Sequence, residues 1–135
     1  MNNFLIDTHV FLWLTFSPEK LSNNILKQLQ DRKNQVSVSA ISFWEISLKY
    51  QLGKLHLSNT LPHELLHAAK QMGIRILDTT AKELATFFQL PSVEGHKDPF
   101  DRLIIWQCIT QNMTLVSHDT KLSCYTDLGL KVLSA

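Results

Sequence analysis

The chain has 135 residues, of which 44% are hydrophobic and 19% are charged. This balance is typical of a globular protein and excludes a disordered one, and the length suits a single domain, which we expect to span residues 1–135. Thirteen basic and twelve acidic residues leave a net charge of +1, which argues against a module that binds nucleic acid through bulk positive charge.

The first half of the chain alternates strand-like and helix-like segments. Phe4–Ile6 is a short apolar run, and apolar residues at helical spacing predict a helix over 21–29 that Pro18 and Glu19 would start. Gln35–Ser39 is rich in β-forming residues and predicts a strand. Ala40–Leu52 then predicts a helix, because a glycine follows it as a typical helix stop.

The alternation continues in the second half. Leu61–Met72 predicts an amphipathic helix and Ile74–Leu77 a strand. Thr80–Phe88 predicts a helix that starts with a capping box. Pro99–Gln111 predicts a long helix with proline in its first turn, where the missing N–H costs little. The last two predicted strands are Thr114–Ser117 and Lys131–Leu133. This order predicts a three-layer α/β/α sandwich with a central, mostly parallel sheet.

Two features of the sequence indicate the cellular compartment. Asp7 interrupts the only early apolar run, so no signal peptide is visible, and no apolar stretch is long enough to span a membrane. Cys108 and Cys124 show no redox or zinc spacing, and Cys108 is expected in the core. We therefore expect a reduced, cytoplasmic protein that makes no membrane contact.

Several carboxylates follow the predicted strands. Asp7 directly follows the first strand, and Asp119 follows the fourth after one intervening residue. Glu45 lies early in the helix after the second strand, and Asp98 and Asp101 lie at the start of the long helix. Because ligands gather outside the carboxyl ends of strands in open α/β sheets, we expect these acids to share one site.

Each acid also has a structural interpretation. Asp7 and Asp98 are favoured helix caps, Glu45 can pair with Lys49 on a solvent face, and Asp119 can begin a turn. Taken together, the acids favour a shared metal site over these separate roles. Carboxylates that converge without paired cations repel one another, and a divalent cation relieves that repulsion.

Oxygen-only ligands favour magnesium, manganese or calcium, and zinc is disfavoured because the chain has neither HExxH nor a Cys/His cluster. Carboxylate-held magnesium suggests phosphate chemistry, in which the metal makes a water more nucleophilic. The chain also lacks a phosphate-binding GxxxxGK[ST] loop, a GxGxxG motif and a GxSxG nucleophile elbow.

Four segments of the chain carry distinctive motifs: FLIDTH at 4–9, SAISFWEI at 39–46, HKDPFDRLII at 96–105 and LVSHD at 115–119. Together they resemble one known family, the VapC-type PIN-domain ribonucleases. They occur in the family's order over nearly the whole chain, and the tryptophan–glutamate and DPFDR motifs are specific. Where the subgroup usually has Ala-Gln-Ala, this chain has Trp106-Gln107-Cys108, which bears on packing or a dimer contact more than on chemistry.

The resemblance implies a PIN-like fold and a Mg²⁺- or Mn²⁺-dependent endoribonuclease, the toxin of a type II toxin–antitoxin pair. The implied partners are an RNA substrate, a cognate antitoxin and a second copy of the chain in a homodimer. The implied catalytic and metal-binding acids are Asp7, Glu45, Asp101 and Asp119. The implied supporting residues are Asp98 as a neighbour, Thr8 and Ser117 to orient metal-bound water, and Arg102 to contact phosphate or pair with Asp98.

Two alternatives remain open at this point. One is a non-catalytic PIN-like module that only binds a partner. The other is a phosphatase-like hydrolase with Asp7 as nucleophile, which needs a second Asp two residues on, where His9 stands. Neither the RNA that is cut nor the identity of the antitoxin can be inferred from this one chain, and Lys49, Lys54 and Arg102 are the candidate RNA contacts.

Overall fold

Five strands form a single sheet in the computed structural model, which describes residues 1–135. The strands are β1 (Asn3–Ile6), β2 (Gln35–Ser39), β3 (Arg75–Leu77), β4 (Thr114–Ser117) and β5 (Lys131–Ser134). Their order is β3-β2-β1-β4-β5, and every neighbouring pair is parallel. The chain proceeds outward from β1 in one direction and then in the other, so the switch point, where ligands gather in such sheets, lies between β1 and β4.

Seven helices connect the strands. They are α1 (Thr8–Phe16), α2 (Asn23–Gln30), α3 (Ala40–Gln51), α4 (Leu65–Gln71), α5 (Ala81–Thr86), α6 (Pro99–Gln111) and α7 (Ser123–Thr126). Three short 3₁₀ turns cover Pro18–Lys20, Pro62–Glu64 and Phe87–Gln89. None of the helices has the length and apolar character needed to cross a membrane.

Alternating side chains of the sheet build two separate cores. Phe4 and Ile6 of β1 point to one face and pack with residues of α1, α2 and α4. Leu5 points to the other face and packs with residues of α6 and α7, as the period of two in a strand requires. The predicted three-layer α/β/α sandwich with a parallel sheet is therefore confirmed.

The first half of the chain departs from the prediction at two helices. Pro18 and Glu19 form a separate 3₁₀ turn, and the following helix starts at Asn23, where the Ser22 hydroxyl accepts from the backbone N–H of Ile25 at 3.2 Å. The prediction also assigned no bounds to α1. Its sequence, THVFLWLTF, has almost no polar face, so helical periodicity is hidden.

The second half of the chain departs less from the predicted elements. The predicted helix over 61–72 is a 3₁₀ turn followed by the shorter α4. The predicted capping box is present, since Thr80 Oγ1 accepts from the N–H of Glu83, and Glu83 Oε1 accepts from the N–H of Thr80 at 2.9 Å. The four-residue α7 was not predicted, because so short a segment carries no periodic signal.

Leu5 provides a test of the core. Its side chain is fully buried in the central strand, so Leu5→Ala should lower the free energy of unfolding in urea by about 2–5 kcal/mol. Leu66 of α4 is 45% exposed, so the matched Leu66→Ala variant should change the free energy of unfolding by no more than about 0.5 kcal/mol. Equal losses in the two variants would contradict this account of the core.

Candidate active site

A cavity of about 370 Å³ opens at the carboxyl ends of β1 and β4. All four predicted site acids and their predicted neighbour line it: Asp7, Glu45, Asp98, Asp101 and Asp119. The structure therefore brings together side chains that are up to 112 positions apart in sequence (119 minus 7). This is the location expected for a ligand site in an open parallel sheet.

Asp7 both caps a helix and faces the cavity. Its Oδ1 accepts from the backbone N–H of Val10 at 2.8 Å, which caps α1. Its Oδ2 accepts from the Ser117 hydroxyl at 2.6 Å. Burial raises the pKa of Asp7 above its ordinary value, although both hydrogen bonds act in the opposite direction. The structural and functional interpretations of Asp7 are therefore compatible.

Ser117 connects two of the acids. Its hydroxyl donates to Asp7 and accepts from the backbone N–H of Asp119 at 3.0 Å. β1 and β4 are neighbouring parallel strands, so their carboxyl ends bring Asp7 close to Ser117 and Asp119. Ser117 thus orients a carboxylate directly, while the role in orienting water that the family resemblance implies stays a prediction.

Glu45 is buried, with only 4% of its surface exposed. Its Oε1 accepts from the Thr8 hydroxyl at 2.6 Å, and its Oε2 accepts from Lys49 Nζ. Ser42 Oγ lies 2.8 Å from the same Thr8 hydroxyl. The pairing with Lys49 that the structural interpretation offered is therefore present, but it lies in the cavity and not on a solvent face.

The start of α6 adds two more carboxylates. Asp98 caps the helix, since its Oδ1 accepts from the N–H groups of Phe100 at 2.9 Å and Asp101 at 3.3 Å. Oxygens of Glu45, Asp98 and Asp101 lie within 4.8 Å of one another. Burial, and then the negative charges of Asp98, Glu45 and Asp7, raise the pKa of Asp101 to about 7, and Lys49 only partly opposes this.

Asp119 begins a turn and also faces the cavity. Its Oδ1 accepts from the backbone N–H of Lys121 at 2.8 Å, as the structural interpretation expected. Its Oδ2 lies 3.3 Å from Nε2 of His96. Sequence reasoning missed His96 as a site residue because no second histidine stands at metal-ligand spacing; its place at the start of the HKDPFDR segment was the available signal.

Arg102 does not pair with Asp98, and the phosphate contact that the family resemblance implies stays a prediction. Its guanidinium donates to the backbone carbonyls of Leu90 and Pro91, each at 3.0 Å, and lies over the ring of Phe87. It forms no ion pair with Asp98 and does not line the cavity. The carbonyls of Leu90 and Pro91 hold the guanidinium away from Asp98, so Arg102 connects α6 to the segment after α5.

The unusual Trp106-Gln107-Cys108 segment also serves packing. Trp106 Nε1 donates to the Thr86 hydroxyl at 3.2 Å, and the fully buried Gln107 accepts from the Ser39 hydroxyl at 2.6 Å. Cys108 is in the core, as predicted, and burial raises the pKa of its thiol well above the ordinary value. None of the three residues lines the cavity.

The donor set fits a divalent cation. Two groups of side chains have potential ligand atoms that all lie within 4.8 Å of one another, and both groups include Asp101. They are Glu45–Asp98–Asp101 and His96–Asp101–Asp119. Asp7 lines the same cavity but belongs to neither group. The raised pKa of Asp101 shows the electrostatic cost of the metal-free arrangement, which a cation would remove.

A parallel α/β sheet with an acidic cavity at its switch point defines the class of protein: an α/β domain with a carboxylate cluster that could hold a divalent cation. The PIN domain model matches residues 4–127. The chain belongs to the PIN domain family.

The chain is similar to named relatives over nearly its whole length. It is 30% identical over 122 residues to ribonuclease VapC22 of Mycobacterium tuberculosis, which covers 90% of this chain and 91% of the relative. Its fold is similar to that of VapBC2 from Rickettsia felis bound to a promoter DNA fragment (TM-score 0.70, 18% identity, 98% of both chains). It is also similar to that of a toxin–antitoxin complex from Klebsiella pneumoniae (TM-score 0.61, 15% identity, 96% and 95% of the chains).

The raised pKa of Asp101 predicts a gain in stability on neutralisation. The native state holds a proton on this carboxyl between about pH 4 and 7 that the unfolded chain releases, so wild type loses stability as pH rises through this window. At pH 8 without divalent metal, Asp101→Asn should raise the free energy of unfolding by about 1–2 kcal/mol. The pKa shift alone corresponds to about 4 kcal/mol, and screening of this partly exposed group by solvent reduces that value.

The measurement is urea unfolding at pH 4 and pH 8 with chelator present. The gain should fade toward pH 4, and the exposed-site control Asp127→Asn should show no such dependence. Adding Mg²⁺ should stabilise wild type more than the variant. A variant that is less stable than wild type at pH 8 would contradict the proposed repulsion.

Proposed function

We propose that the protein is a divalent-metal-dependent endoribonuclease that hydrolyses phosphodiester bonds in RNA through Asp7, Glu45, Asp101 and Asp119. The observation that carries this proposal is the convergence of these four carboxylates on one cavity at the switch point of the sheet. Membership of the PIN domain family and similarity to a relative named ribonuclease VapC22 support it.

The residues of the chain hold the acids ready for metal and substrate. Ser117 and the N–H of Val10 fix Asp7, and the Thr8 hydroxyl fixes Glu45. Carboxylates that are already oriented need little reorganisation when charge develops during the reaction. A divalent cation bound here supplies charge neutralisation at phosphate and a more nucleophilic water.

The metal is proposed to be Mg²⁺ or Mn²⁺. Glu45, Asp98 and Asp101 offer oxygen ligands only, which hard cations prefer. Lys49 donates to Glu45 and also lies close enough to Asp98 and Asp101 for their charges to act on it. Lys49, which lines the same cavity, therefore offsets part of its negative charge.

We further propose that the chain is the toxin of a type II toxin–antitoxin pair, acts in the cytoplasm, forms a homodimer and is bound by a cognate antitoxin. Support comes from the fold, which is similar to that of structures described as VapBC and as a toxin–antitoxin complex. Co-expression with the gene that neighbours its own tests this proposal, since a bound small protein that blocks RNA cleavage is the expected result.

A phosphatase-like mechanism fits the geometry less well. Asp7 shares its cavity with Glu45, Asp101 and Asp119, an arrangement that suits a joint metal site better than a single nucleophile. The position that a general acid would need, two residues on, holds His9. Asp7 is therefore assigned as a metal ligand and not as a nucleophile.

Replacing a site acid should abolish activity. Asp7→Asn keeps the size of the side chain but removes its charge, so metal-dependent cleavage of a panel of small RNAs should fall at least about a hundredfold. Asp78 also follows a strand but is exposed and does not line the cavity, so Asp78→Asn is the matched control and should retain full activity. Cleavage that survives in Asp7→Asn, or persists with chelator, would contradict the assignment of Asp7 to a metal-dependent active site.

An exposed tryptophan that adjoins a cavity acid in the sequence predicts a preference for single-stranded RNA. Trp44 is 60% exposed and precedes Glu45, and the half-buried Phe100 precedes Asp101. Their two rings meet edge to face at 4.9 Å and join α3 to α6. Unpaired bases stack on exposed aromatic rings, and each stacked base contributes about 1–3 kcal/mol.

Fluorescence anisotropy with a short single-stranded RNA tests this preference in the Asp7→Asn background, which prevents cleavage. Trp44→Ala should weaken binding about 5- to 150-fold, the range that corresponds to one stacked base. Phe88 is also exposed, but neither of its sequence neighbours lines the cavity, so Phe88→Ala should leave affinity unchanged. Equal affinities for all three proteins would rule out stacking on Trp44.

A further inference from the structure

His96 lies in the wall of the cavity, just before α6. Its side chain is 7% exposed and its ring packs edge to face against the buried Tyr125 of α7 at 5.3 Å. Its Nε2 faces the acids, lies 3.3 Å from Asp119 Oδ2 and makes no hydrogen bond. A buried polar nitrogen without a partner is costly, so a group that supplies one is expected here.

The other ring nitrogen indicates the chemistry of that group. Nδ1 of His96 lies 2.8 Å from the hydroxyl oxygen of Tyr125. When Nδ1 carries the proton and donates it to this oxygen, Nε2 presents a lone pair to the cavity. Histidines that bind metals are held in this way, with the second ring nitrogen donating to a fixed acceptor.

The acids complete a ligand set around Nε2. A nitrogen of His96 and carboxylate oxygens of Asp101 and Asp119 all lie within 4.8 Å of one another. Ligands around one ion at about 2.1 Å are separated by roughly 3–4 Å, so small side-chain movements suffice to close this set on a cation. The group differs from Glu45–Asp98–Asp101 because it contains a nitrogen.

We propose that His96 Nε2, Asp101 and Asp119 form a mixed nitrogen–oxygen metal site that favours Mn²⁺ over Mg²⁺. Imidazole is a good ligand for transition metals, whereas Mg²⁺ takes oxygen ligands almost exclusively. The inference deepens the proposed function, because the site shares Asp101 with the proposed nuclease centre. Tyr125 is a positioning residue that fixes the ring of His96.

Pulsed electron paramagnetic resonance of Mn²⁺ bound to the full-length protein tests the proposal without RNA. Directly bound imidazole produces modulation from its ¹⁴N nucleus. The modulation should be present in wild type, disappear in His96→Asn and His96→Gln, and persist in His118→Asn, which removes the other imidazole beside Asp119. Mn²⁺ affinity in His96→Asn should fall about tenfold or more, with a smaller change for Mg²⁺.

The wild-type spectrum alone can overturn the proposal, so it stays testable even if a His96 variant fails to fold. Bound Mn²⁺ without ¹⁴N modulation, or modulation lost only in His118→Asn, would overturn it. RNA cleavage by a wild type without modulation would refute the nitrogen ligand and leave the proposed nuclease intact. Modulation in a protein that cleaves no RNA would support the metal site and count against the nuclease.

Discussion

Mutual repulsion among carboxylates is the constraint around which the site is organised. Asp7, Glu45, Asp98, Asp101 and Asp119 all line one cavity. Burial, together with the charges of its acidic neighbours, raises the pKa of Asp101 to about 7. Folding tolerates this because hydroxyl and backbone donors hold the acids individually, and because Lys49 pairs with Glu45. A divalent cation would relieve the residual repulsion, so the features that cost stability without metal would favour its binding.

Structural and functional roles coincide at several of these residues. Asp7 caps α1, Asp98 caps α6 and Asp119 begins a turn, and each also faces the cavity. The carboxyl ends of parallel strands lead directly into helix N-termini, so an acid placed there can serve both purposes. A capping interpretation of such an acid in a sequence is therefore no argument against a metal site.

The sequence predicted the fold class and the acids well because both rest on strong local signals. β-rich runs followed by acids identify the strand ends, and parallel pairing then brings Asp7 to Asp119. His96 and Arg102 were harder, because the direction of a side chain depends on segments distant in sequence: Tyr125 holds His96, and the carbonyls after α5 hold Arg102. The assignment of the four acids as metal ligands stays a prediction.

Anomalous diffraction from crystals grown with Mn²⁺ is the most direct test of the central claim that the acidic cavity is a metal site. The account predicts an anomalous peak inside the cavity, at about 2.0–2.3 Å from oxygens of Asp101 and at least one other of the four acids. A well-ordered structure whose cavity holds no peak at saturating Mn²⁺, or whose peaks lie only elsewhere on the surface, would contradict it.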